Sequence, residues 1–148
     1  MRLLLIAPLL AAAGVAAAYP PTGPECPCPP PAGDAVLRFN EGPHRWSGEH
    51  RGKPAIEGFL REFVGAGITG ELQSLWIGGP PWALTLVARF DDRATDPGGE
   101  ELYANRAVIV ARTRWGKIVE HDDFYIDTAR IVAFEEKLRS LGLAAVAA

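Results

Sequence analysis

Hydrophobic and polar positions between residues 34 and 142 follow two rhythms. Ala35 to Asn40 alternates and predicts a short strand. Residues 41–52, with their glycines, Pro43, His44, Trp46 and His50, read as a loop. Ile56, Phe59, Leu60 and Phe63 then recur at helical spacing, which puts all four on one face. Pro54 suits the first turn of that helix, and Gly65 and Gly67 suit its end. Four strands are expected next, over 71–77, 82–91, 103–114 and 117–126. Gly78-Gly79-Pro80-Pro81, the acidic stretch 92–100 and the tight turn Trp115-Gly116 separate them. Short links between successive strands predict an antiparallel meander. Asp127-Thr128 caps a last helix with Ile131, Phe134 and Leu138 on its apolar side, and Gly142 stops it. The fold class is α+β. Each long strand carries apolar residues on both faces. One face needs helices, and the other must line a cavity or meet another chain.

The first 33 residues are different. Leu3 to Ala18 is apolar behind Arg2 and ends in three alanines, the layout of a signal peptide over 1–18. The run is short for a membrane span. Residues 19–33 form a Pro-rich linker, with Pro20, Pro21, Pro24, Pro27, Pro29, Pro30 and Pro31 in close succession. Residues 143–148 form an Ala-rich tail expected to fray. If the leader is cleaved the protein is exported, and otherwise it stays in the cytoplasm.

With 148 residues, 48% hydrophobic and 22% charged, the chain suits one globular domain with a real core. Net charge is −3 and Lys and Arg form no long run, so the footprint of a nucleic-acid binder is missing. Cys26 and Cys28 are spaced C-x-C with no second pair, which fits neither a structural zinc site nor a redox C-x-x-C. His44, His50 and His121 come with no carboxylate spacing that fixes a ligand set, so neither a metal nor a cofactor is expected.

Three stretches carry a resemblance: Tyr103-Ala104-Asn105-Arg106, Arg114-Trp115-Gly116-Lys117-Ile118-Val119-Glu120, and Tyr125-Ile126-Asp127-Thr128. Together they resemble the C-terminal signature of SnoaL-like proteins, a branch of the nuclear-transport-factor-2-like (NTF2-like) superfamily. Arg51-Gly52-Lys53-Pro54-Ala55-Ile56 resembles their entry into the helix. The likeness covers about residues 34–142. It implies a cone-like curved antiparallel sheet packed on helices around an apolar pocket. The opening helices of such domains are not recognisable here. Three readings of the N-terminus are open: export with an abridged domain, the apolar segment packing as a makeshift cap, or a start unlike that of a complete relative. The fold hosts many activities, so it does not fix the function.

The resemblance also nominates residues. Isomerase relatives carry a carboxylate base at the end of the first strand, where this chain has Phe39 and Asn40. Cyclase relatives carry Glu-His-x-Asp on the last strand, matched by Glu120-His121-Asp122-Asp123, which makes Asp123 the acid/base. Their polar partner on the preceding strand falls near Ile109. Epoxide-hydrolase relatives use Arg-x-Asp with a second Asp, matched by Arg89-Phe90-Asp91 and Asp123. The implied catalytic set is Asp123, Arg89 and Asp91, with Arg89 bridging the two carboxylates. Asn40, Asn105, His121 and Tyr125 are the implied ligand contacts. Arg38 stands where those hydrolases place a Tyr. Two functions are consistent with these residues. One is proton-transfer chemistry on a small apolar molecule. The other is a non-catalytic module that binds such a molecule or pairs as a homodimer. Trp46, Trp76, Trp82 and Trp115 read as core or pocket wall, Trp115 also as a residue packing on a partner subunit.

Overall fold

The computed structural model describes residues 32–142. The expected leader, most of the linker, Cys26, Cys28 and the Ala-rich tail lie outside the described residues. Six strands and two helices follow in order: β1 (Val36–Phe39), β2 (Gly48–Arg51), α1 (Gly52–Gly65), β3 (Thr69–Gly78), β4 (Thr85–Thr95), β5 (Glu101–Arg114), β6 (Lys117–Tyr125) and α2 (Thr128–Ser140). The strands form one curved, unclosed sheet in the order β2-β1-β6-β5-β4-β3.

The meander is present as β3-β4-β5-β6, all antiparallel. β1 adds to β6 in parallel, with Leu37 opposite His121, so the sheet is mixed. β2 lies where the sequence reads as loop. Gly48-Glu49-His50-Arg51 has no apolar alternation, and its pairing with β1 is a long-range effect. β4 runs to Thr95, four residues past the expected end, because its acidic tail still pairs with β5. Trp115 at φ 51° and Gly116 at φ 76° form the left-handed pair that a two-residue hairpin turn demands.

One face of the sheet, the inner face, carries both helices. α1 places Ile56, Phe59, Leu60 and Phe63 against Phe39 and Trp46. α2 contributes Ile131, Phe134 and Leu138, and Phe134 stacks on Tyr103 at 4.8 Å. Asp127 caps α2 by accepting from the Arg130 amide at 3.3 Å. α2 also buries Glu135, which accepts from Arg45 at 2.8 Å and Arg139 at 3.0 Å and so ties the 41–47 loop to the helix. Among the described residues no helix is long and apolar enough to cross a membrane.

Candidate functional site

Strand register decides which side chains share the inner face. Asp123 lies opposite Ile109, which lies opposite Ala88. Tyr125 lies opposite Ala107, and His121 opposite Ala111. A register shift between Arg112 and Thr113 puts Ile118, not Val119, into the core below His121. The inner face of β6 therefore reads His121, Asp123, Tyr125, set among Ala88, Phe90, Ile109 and Leu37.

A carboxylate in such surroundings must be paired. Asp123 accepts a hydrogen bond from or shares a proton with His121 Nε2 at 2.7 Å, with side chains 9% and 6% exposed. Burial alone would lower the His121 pKa. The Asp123 carboxylate outweighs it and holds the imidazole above its ordinary value. Beside this pair the Tyr125 hydroxyl donates to Asp92 at 2.7 Å. Burial pushes Asp92 up to about 7, against the Tyr125 hydrogen bond and with help from the Asp123 and Asp91 charges. Burial and the same carboxylates hold the Tyr125 phenol well above its ordinary range. Two acid groups thus face one side of the sheet. One has its proton-binding range moved to neutrality, and the other is tied to a histidine.

Asp92 is absent from the set expected from sequence. By sequence it falls in the acidic stretch after Asp91, and its signal is the series Ala88, Phe90, Asp92, Ala94, one acid in an otherwise apolar alternation. Arg89 and Asp91 do share a face, but it is the opposite one. Arg89 pairs in register with Val108 and Asp91 with Arg106, on the outer side, and Arg89 is exposed. The Asp123–Arg89–Asp91 bridge is therefore not assembled, and His121 takes the place of the guanidinium. The expected amides are committed to backbone. Asn40 Oδ1 accepts from the Tyr125 amide at 2.9 Å, and Asn105 Nδ2 donates to the Asp127 carbonyl at 2.7 Å. Both hold the end of β6 in place. His44 is buried against Phe39 and Trp46, while His50 bonds the Trp46 carbonyl at 3.2 Å. Among the described residues no group of three or more His, Cys, Asp or Glu side chains has the arrangement to hold a metal ion. Of the tryptophans only Trp46 is core. Trp76, Trp82 and Trp115 are exposed, because they sit on the outer face or at the strand ends.

The Asp92 environment makes a pH prediction. Its carboxyl binds a proton more tightly folded than at its ordinary 3.8, so the folded state holds more protons between about 4 and 7. The stabilising contribution is fully present below that window and is lost as pH rises through it, an effect on the order of a few kcal/mol. Urea denaturation across this range should show stability falling with pH, and Asp92→Asn should flatten the slope. An unchanged slope in Asp92→Asn would contradict the buried placement.

No protein-family model and no curated protein matches this chain. Solved structures do. TerC, co-crystallized with polyporic acid, is 19% identical with a TM-score of 0.59, over 72% of this chain and 80% of its own. Bal32a, from a soil-derived mobile gene cassette, is 18% identical with a TM-score of 0.58, over 71% and 78%. An NTF2-like protein from Burkholderia pseudomallei K96243 is 21% identical with a TM-score of 0.59, over 71% and 79%. At such identities the likeness speaks for architecture, and it agrees with the mixed sheet and the two helices of the described residues: the chain has the NTF2-like, SnoaL-like α+β fold.

Proposed function

We propose that the inner face binds a small, largely apolar molecule and that Asp123, held by His121, moves a proton on it. The observation that carries this reading is the 2.7 Å Asp123–His121 contact among apolar side chains. A carboxylate and an imidazole at that separation can pass one proton between them and a bound ligand without creating an unpaired buried charge. Asp92 complements the pair. With its pKa near 7 it can hold or release a proton around neutrality beside the Asp123–His121 unit. Two acids whose environments differ are the usual basis for assigning one as donor and the other as acceptor. TerC lends the reading support as an example of this fold co-crystallized with a small organic molecule. Cyclase-like proton transfer fits better than epoxide hydrolysis through an Arg-bridged dyad, since Arg89 and Asp91 lie on the outer side. The test is turnover of polyketide-like ketones and of epoxides by the wild type and by Asp123→Asn. Equal turnover by the two would remove Asp123 from the mechanism.

A second reading rests on the outer face. Trp76 and Phe124 are 58% and 53% exposed there, and Val87, Val108 and Val110 connect them across four strands. A contiguous apolar strip on a sheet face favours pairing with a second copy through a two-fold interface. In this reading the protein is a homodimeric binding module. Light scattering should report a dimer at micromolar concentration, and the double change Trp76→Glu with Phe124→Glu should give a monomer. A monomeric wild type would rule the pairing out.

A further inference from the structure

We propose that the Pro-rich stretch 20–31 of this chain docks on an aromatic platform made by Trp82 and Trp115. The platform is a built feature of one end of the sheet. The β3–β4 link and the β5–β6 turn are locked together: the Trp115 amide donates to the Trp82 carbonyl at 2.8 Å, and the Thr113 amide to the Leu84 carbonyl at 2.8 Å. The Leu84 amide in turn donates to Thr113 Oγ1 at 3.1 Å. Gly79 allows the link to fold back. It sits at φ 100°, and a Cβ there would lie 2.5 Å from the Ala83 carbonyl oxygen. On this frame the two indoles stand 6.5 Å apart at 36°, with Trp82 53% and Trp115 76% exposed.

Trp115 is an unexpected residue for its position. A φ of 51° favours glycine or asparagine, yet a large apolar side chain is held there in water. Neither backbone preference nor core packing accounts for it, whereas a binding role does. Tilted, exposed indole pairs are the kind of surface that receives a polyproline II segment, whose rings pack flat on aromatic faces and whose conformation costs little entropy to fix.

The geometry of the chain names the occupant. The described residues begin with Ala32, whose amide donates to the Ile118 carbonyl at 3.2 Å, and Asp34 pairs with Arg114 at 3.4 Å. Ile118 and Arg114 flank Trp115 in sequence, so the N-terminal stretch joins the fold beside the platform. Gly116 and Lys117 separate Ile118 from Trp115, a span of roughly 10 Å at most. Pro29-Pro30-Pro31, at roughly 3 Å per residue, spans that distance directly from Ala32, so little chain has to be closed into a loop.

The experiment uses the full chain and its tryptophan fluorescence. Compared with wild type, the triple change Pro29→Ala, Pro30→Ala, Pro31→Ala should red-shift the emission and raise acrylamide quenching, at any protein concentration. Trp115→Gly, which suits the turn, supplies the second arm. On that background the triple change should have no further effect, which assigns the signal to the platform rather than to Trp76. Identical emission and quenching in the wild type and the triple variant would overturn the proposal. A difference that vanishes on dilution would also overturn it, in favour of the same stretch from a second copy.

Discussion

Asp123→Asn is expected to lower kcat by about two to four orders of magnitude on any substrate the protein turns over, with KM changed far less. The amide keeps the volume and the hydrogen bond to His121, so the inner face should stay assembled. It cannot hold or release the proton. Losing the carboxylate also removes what keeps the His121 pKa raised, so burial should then drive the imidazole neutral. Acid and base would fail together. Steady-state kinetics on both proteins, with matched denaturation curves, separates this from a folding defect. A variant that loses activity only in proportion to its folded fraction would place Asp123 in the scaffold rather than the chemistry.

Phe134→Ala should cost about 3–5 kcal/mol of stability. Phe134 is 1% exposed, stacks on Tyr103 at 4.8 Å and lies 6.1 Å from Trp46. It joins α2 to β5 and to the 41–47 loop. Truncation leaves a cavity bounded by large rings on a rigid sheet, which has little room to collapse. Against a total stability of about 5–15 kcal/mol this is a large share. Urea unfolding should show a much lower midpoint with little change in slope. A loss under about 1 kcal/mol would mean that α2 contributes less to the core than its burial implies.

The same ring packing explains why much of the fold was legible. Ile56, Phe59, Leu60 and Phe63 sit at helical spacing because one helix face is buried, and the burial is as expected. The Trp115-Gly116 turn and the Asp127 cap are local chemistry and read directly. β2 was not legible, because Gly48 to Arg51 is held by β1 and its own side chains carry no alternation. The parallel β1–β6 pairing joins residues more than eighty positions apart, which no local pattern encodes. On β4 the inward acid lies one residue from the expected one. Arg89 and Asp91 share one face of β4, but Ala88 and Phe90 pack inside, and so the inward acid is Asp92. Asp123 was legible because His121 and Tyr125 bracket it at period two on a strand without a break between them.

The proposed chemistry requires Asp123 and His121 to act as one buried proton-holding unit. The most direct measurement is an NMR pH titration of the His121 imidazole nitrogens in the full chain, wild type against Asp123→Asn. The predicted result is a titration above the ordinary histidine range in the wild type that falls below it in Asp123→Asn. Indistinguishable titrations near the ordinary value in both proteins would show that the two side chains are neither buried nor coupled, and would contradict the proposed proton transfer.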